Sequence, residues 1–494
     1  MQRFTMTTAM AVSLTALGLG GPANAACVEG GTATDPTLTC SGTDIVSIDD
    51  ARDNLSVVFD ATAALVRGVA EGRPVTLAGA DQSLEIATGG LIESEDPDED
   101  AIQGEGATLT LTNAGTIRGG DRGVRLQDLA DNVTVTNSGE ISARRQAVRF
   151  DNGDALANAS ITNSGLIESR EGRAIQSRGP GTTIVNSGIL RGAEEVVEAR
   201  EGFSMVNTGT IALKGLSWDA RTQTWTNNGA PTDEDGVQFA SGTLTNSGVI
   251  LGTDDGVDLD EGEVVNSGAI VSTGADGDPS NGGSGIDIDE TFEPTVGSDV
   301  PAGPLTIRNT GHIEGVRAIG ADSDSTSEIT IENSGTLVGR SGTAIEMAPG
   351  QGDSSLTLDG DSAIFGDVLF GGGNDLLTVG TVSSGPLINS VFDGGAGDNT
   401  VSFAALALGD VTTARFGSDL TALTLDTPNG AISGAFRNFG LWQFGTAPAL
   451  TTAEFRGALP QSVVVPVPAA LPLLLSALGS LAWMRRRADR KSVV

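Results

Sequence analysis

Aromatic and histidine chemistry is scarce in this chain: its 494 residues include no Tyr, four Trp and a single His. With His312 alone, neither a Ser-His-Asp triad nor a histidine-built zinc centre can be assembled. The frame around it, Gly311-His312-Ile313, points the ring outward to solvent. Positive charge is short as well, with 28 Lys and Arg against 64 Asp and Glu and a formal net charge of −36. Nucleic acid needs a basic stripe on its partner, so that class of function is excluded. The acidity instead suits a chain kept soluble in a salty or cation-rich exterior. Cysteine is limited to Cys27 and Cys40.

What recurs is Asn-x-Gly. Between residues 113 and 335 it sits in a longer pattern, apolar-x-Asn-x-Gly-x-apolar, as in Leu111/Asn113/Gly115/Ile117, Val135/Asn137/Gly139/Ile141, Ile161/Asn163/Gly165/Ile167, Leu244/Asn246/Gly248/Ile250 and Ile331/Asn333/Gly335/Leu337. The four marked positions share one parity, so in an extended chain they face one side, the buried one. A buried Asn in every repeat is costly unless its amide is satisfied. Stacking like repeats satisfies it, because each side-chain carbonyl accepts from the amide one layer away.

The pattern therefore predicts an all-β chain, a right-handed single-stranded parallel β-helix, with a ladder of Asn113, Asn137, Asn163, Asn186, Asn207, Asn246, Asn266, Asn309 and Asn333. Counted through Asn227, the spacings from Asn113 to Asn266 are 24, 26, 23, 21, 20, 19 and 20 residues, a solenoid period with one coil per repeat. Asn309 lies 43 residues further on, which fits two coils or one coil with a long loop. Thr, Val, Ile, Asn and Gly at period two speak against helix.

Each repeat carries a second signal, a small residue followed by apolar-x-apolar, as in GVRL at Gly123, AVRF at Ala147, GIDI at Gly285 and AIEM at Ala344. It reads as a short strand on another wall of the same coil. Its middle residues form an outward-facing column: Gln103, Arg125, Arg149, Gln176, Glu198, Gln238, Asp258, Asp287 and Glu346.

The ends carry addresses. Residues 1–25 read as an export signal, with Arg3, the apolar stretch Ala9 to Leu19 and the cleavage site Ala23-Asn24-Ala25. In an oxidising compartment Cys27 and Cys40 default to a disulfide that pins an N-terminal cap. A lipid on Cys27 is the alternative, although the Leu and Gly usual before a lipidated Cys are missing. At the other end no charged residue lies between Arg456 and Arg485, a gap long enough for a transmembrane helix. Arg485, Arg486 and Arg487 follow and, by the positive-inside rule, stay cytoplasmic with the solenoid outside.

The run Val465-Pro466-Val467-Pro468-Ala469, then the apolar span, then the arginines, resembles the PEP-CTERM family of bacterial sorting tails, in its Val-Pro-Leu-Pro-Ala variant, with Val467 in place of Leu. The resemblance covers the last thirty or so residues and implies recognition, and cleavage near the motif, by an exosortase-type membrane enzyme. A plain single-pass anchor is the other reading. The TNSGxI repeats resemble the passenger regions of bacterial autotransporters over roughly residues 85–405. No membrane barrel follows them, because a dozen strands of about ten residues do not fit the remaining chain. The organisation expected is a signal peptide (1–25), a disulfide-bearing cap (26–84), repeats (85–405), a C-terminal cap and linker (406–462) and a sorting tail with transmembrane helix and basic end (463–494).

Two local features invite chemistry. Gly394-Gly395-Ala396-Gly397-Asp398-Asn399 nearly fits a calcium-binding repeat, but Asn399 replaces the ligand Asp, and Gly371-Gly372-Gly373-Asn374-Asp375 is one residue short; both read as glycine-rich turns of the last coils. Asp254, Asp255, Asp258 and Asp260, with Asp287, Asp289 and Glu290 on the following coil, cluster carboxylates. In β-helical polysaccharide lyases and hydrolases such groups act as acid and base or hold calcium. Those enzymes add basic and aromatic groups, whereas residues 225–300 contain no Arg or Lys. A solvated acidic face, with weak calcium bound by Asp255, Asp258, Asp260, Asp287 and Asp289, is the simpler expectation. The expected role is non-enzymatic: a surface-displayed, adhesin-like rod of a Gram-negative envelope or matrix, in contact with extracellular polysaccharide or neighbouring cells.

Overall fold

The computed structural model describes residues 26–464, apart from 44, 106–107, 128–131, 152–158, 275–282, 289–302, 322–327, 349–351, 383–389, 419 and 428–429. The expected export signal (residues 1–25), the expected sorting motif Val465 to Ala469, Arg485 to Arg487, Asp289 and Glu290 lie outside them.

Nearly every repeat supplies three short strands. Leu109–Asn113 pairs in parallel with Thr134–Asn137, Thr116–Arg118 with Glu140–Ala143, and Val124–Leu126 with Val148–Phe150, each with its counterpart one repeat later. Three walls result, joined into one long sheet whose parallel connectivity is consistent with a β-helix. Along each strand alternate residues enter the core, which is an apolar column of stacked Ile, Leu, Val and Phe such as Ile117, Ile141 and Ile167, all fully buried. Parallel pairing already starts with Pro36–Ser41 against Ser56–Phe59 and runs to Thr400–Phe403 against Leu441–Phe444.

The corner between first and second walls is the Asn-x-Gly. Asn113 Nδ2 donates to Asn137 Oδ1 at 2.8 Å, and the same bond at the same length links each Asn to the next through Asn333. Asn333 ends the ladder on Ser362 Oγ at 2.7 Å. Gly is required two residues on because a Cβ at Gly139 would stand 2.1 Å from the carbonyl oxygen of Gly115, one coil below. Asn266 bonds Asn309 directly, so the long interval is one coil with a loop.

Asn227 does not belong to this series. Asn207 bonds Asn246 directly, and Asn227 is exposed at the end of an antiparallel hairpin, Leu216–Asp219 with Thr224–Asn227. Its spacing matched the coil period by coincidence. The distinguishing sign was local: Pro231 stands where the other repeats place the apolar residue of the second wall.

Both ends are closed by antiparallel structure, which removes open edges. Ala26–Gly31 pairs with Pro36–Ser41, and a disulfide joins Cys27 to Cys40. At the far end Val411–Phe416, Thr421–Thr427 and Gly430–Arg437 form a meander, and the helix Thr452–Ala458 buries Phe455 against Trp442, ring centroids 5.1 Å apart. No helix among the described residues is long and apolar enough to cross a membrane.

Candidate functional site

The third wall carries the column read from the sequence. Gln103, Arg125, Arg149, Gln176, Glu198, Gln238, Asp258 and Asp287 lie opposite one another in that order, and Gly320 intervenes before Glu346. The column points away from the core, yet it is not solvated throughout: Gln103, Gln176, Asp258 and Asp287 are buried. Side chains of the column are satisfied by one another or by a carboxylate just past the strand end. Arg125 Nε donates to Asp151 at 2.6 Å, Gln176 Nε2 to Glu198 at 2.8 Å and Gln238 Nε2 to Asp258 at 2.7 Å.

Towards the middle of the chain the column becomes acidic, with the buried Arg317 of the strand Arg317–Ala321 beside it, opposite Ser284. Asp258 on the strand Val257–Asn266 faces Asp287 on Ser284–Ile288. At the adjoining corner Asp235 Oδ1 accepts the Asp255 N–H at 2.9 Å, and Asp255 Oδ1 accepts the Ser284 N–H at 2.7 Å. These carboxylates thus serve as side-chain clamps between coils. Ser284 Oγ in turn donates to Asp287 at 2.8 Å. Oxygens of Asp235, Asp254 and Asp255 all fall within 4.8 Å of one another, and a cation could be held there. The sequence marks Asp235 and Asp255 by the same Asp-Gly-Val opening a second-signal strand, but Asp235 was not grouped with the clustered carboxylates.

Burial dominates the electrostatics. It pushes the Asp255 carboxyl well above the ordinary range, helped by the charges of Asp287, Asp235, Asp254 and Asp258. Asp258 is raised by burial and then by Asp235, with the Gln238 amide acting in the opposite direction and Asp260 adding to the rise. Asp235 is likewise raised by burial, against the Asp255 N–H and with Asp254. Glu234 is pushed up to about 7 by burial and by Glu195 and Glu194. Groups of this kind either keep a proton or recruit a cation.

His312 does not take the outward, solvent-facing position expected of it. It projects from the second wall but is 6% exposed, because the hairpin Leu216–Asp219 with Thr224–Asn227 lies across that wall. The His312 Nε2 is 3.0 Å from Glu314, its ring is 5.5 Å from that of Trp218, and Trp225 Nε1 donates to Glu314 at 3.4 Å. Arg340 sits 5.7 Å over the Trp225 ring. Under the hairpin the outward column Ala212, Leu251 and Val271 is buried. That apolar run on an outward parity was the signal that something covers this wall.

The glycine-rich turns stack upon each other. Asn399 Oδ1 accepts the Asp375 N–H at 2.8 Å, and Asp375 Oδ1 accepts the Ser354 N–H at 2.8 Å. Burial raises the Asp375 carboxyl to about 6. The chain matches no family model, no curated protein and no solved structure.

Proposed function

We propose that this chain is a secreted, surface-displayed structural or adhesin-like protein of a Gram-negative envelope or extracellular matrix, its body a right-handed single-stranded β-helix. The observation that carries the reading is the unbroken Asn ladder from Asn113 to Asn333, which makes one stiff unit of many coils instead of a cleft between domains. Its C-terminal tail is a sorting signal read by an exosortase-type enzyme, and the span before the arginines holds the chain in the membrane until processing. The extracellular partner is polysaccharide or a neighbouring cell surface. The acidic wall binds calcium weakly and stiffens the rod.

The rival reading, a polysaccharide lyase or hydrolase using the Asp cluster, loses support from burial. Asp255 and Asp258, which would have to reach a sugar chain, are 5% and 8% exposed and already clamp neighbouring coils. Incubating the purified protein with a panel of acidic polysaccharides, reading binding and chain cleavage together, separates the two. Cleavage that Asp258→Asn abolishes would overturn the structural role.

A further inference from the structure

In a chain of net charge −36, one stretch of the first wall carries no charged side chain. From Leu109–Asn113 to Val237–Asn246 the outward positions of that wall form two rows in strict register. One row is Thr110, Thr134, Ser160, Thr183, Ser204 and Thr243; the other is Thr112, Thr136, Thr162, Val185, Val206 and Thr245. All twelve are exposed or half-exposed, in contrast to the ion-paired third wall. Charge resumes at both borders, where Glu85 lies opposite Thr112 and Glu263 opposite Thr243. The uncharged field is therefore bounded.

Its geometry is that of a lattice. Successive coils place equivalent side chains about 4.8 Å apart, and the two rows, two residues apart along each strand, are separated by about 6.7 Å. A third row runs along the corner, where the hydroxyls of Ser138, Ser164, Ser187 and Thr208 donate to the Asn carbonyl of the coil below at 3.3–3.4 Å. Thr is stiff at χ1, and the Asn ladder beneath holds the spacing, so the rows are fixed before any partner arrives. Within the two rows one internal bond joins Thr243 Oγ1 to Ser204 Oγ, while the hydroxyls of Thr112, Thr136 and Thr162 are left to an outside partner.

The chemistry narrows the partner. A protein interface gathers Trp, Tyr and Arg at its centre, and the rows contain none. Sugar chains are gripped by aromatic platforms, also missing from them. A rigid field that repeats in two directions matches a partner that repeats in two directions, and neutral hydroxyls beside methyl groups match neutral water oxygens. We propose that this wall, between Leu109 and Asn246, binds ice, its hydroxyl rows seating on the ordered water of a crystal face. The proposal is independent of how the chain is anchored.

The test uses purified full-length protein in mild detergent, with detergent alone as blank, on growing single ice crystals. Faceted growth, a gap between freezing and melting, and partition of the protein into the ice are expected. Thr136→Lys with Thr162→Lys, which puts two hydrated charges mid-row, should abolish all three with an unchanged melting temperature. Thr330→Lys, on the same wall beyond the field, should retain them. If the mid-row pair lowers the melting temperature, Thr112→Lys with Thr245→Lys at the row ends replaces it. Unshaped crystals with the wild type would overturn the proposal, as would full activity in a folded row variant. Retention on crystalline cellulose with no effect on ice would overturn it too and assign the wall to a neutral polysaccharide.

Discussion

Replacing Asn186 by Leu is the sharpest test of what holds this protein together. Asn186 is completely buried, accepts from Asn163 Nδ2 and donates to Asn207 Oδ1, both at 2.8 Å. Leu fills a similar volume but breaks both bonds. The neighbours keep secondary partners: Asn163 Nδ2 still reaches the Gly165 and Ile189 carbonyls at 3.2 and 3.3 Å, and Asn207 Oδ1 still accepts the Gly209 N–H at 3.2 Å. The penalty therefore stays below that of two wholly orphaned groups, at about 1 to 3 kcal/mol. Because a repeat array need not unfold in one step, the loss is read locally, as faster amide exchange at Gly188 and Gly209, together with a lower melting temperature. Asn227→Leu is the control: it removes the bonds that Asn227 Oδ1 accepts from the Gly229 and Ala230 N–H groups at 3.0 and 2.9 Å, but these are exposed to water, so it should cost less than about 1 kcal/mol. Equal effects of the two substitutions would refute the ladder as a source of stability.

Three further outcomes are expected. Asp235, Asp255 and Asp258 have folded pKa values above their unfolded ones, so the folded state binds more protons; their contribution is full below about pH 4 and is lost as pH rises, with Glu234 following through about 7. Melts without divalent cations should therefore show this segment loosening from acid to neutral pH, and Asp255→Asn should flatten the dependence. Calcium at ten times a dissociation constant of about 10⁻⁴ to 10⁻³ M should add about 1.4 kcal/mol to stability. Melts with millimolar calcium against chelator decide it, Asp254→Asn with Asp255→Asn, in the trio whose oxygens lie within 4.8 Å of one another, serves as the insensitive variant, and an unchanged wild-type melting temperature removes the cation. Mass spectrometry of the surface fraction should find no peptide beyond about Pro468. A peptide ending in Val494 would establish a plain anchor, whereas Pro466→Ala with Pro468→Ala should accumulate the unprocessed form.

The repeat was legible because its constraints are local. Asn113 to Gly115 must turn a corner, satisfy a buried amide and leave no Cβ in the way of the coil below, and few residues do all three. Parity then assigned Leu111 and Ile117 to the core and Asp258 and Asp287 to one column, since a strand's side-chain period is fixed by its backbone. Parity says which way a side chain leaves the sheet and nothing about what lies above it. That was decided by tertiary structure: the Trp218 and Trp225 hairpin folds across the second wall, buries His312, Leu251 and Val271, and takes Asn227 out of the ladder. The clamp role of Asp235 and Asp255 likewise depends on which coil stacks on which, through contacts spanning 20 and 29 residues of chain. Periodicity is written residue by residue, whereas coverage depends on where an insertion lands: the outward apolar run Ala212, Leu251 and Val271 marks a covered wall but does not say which segment covers it.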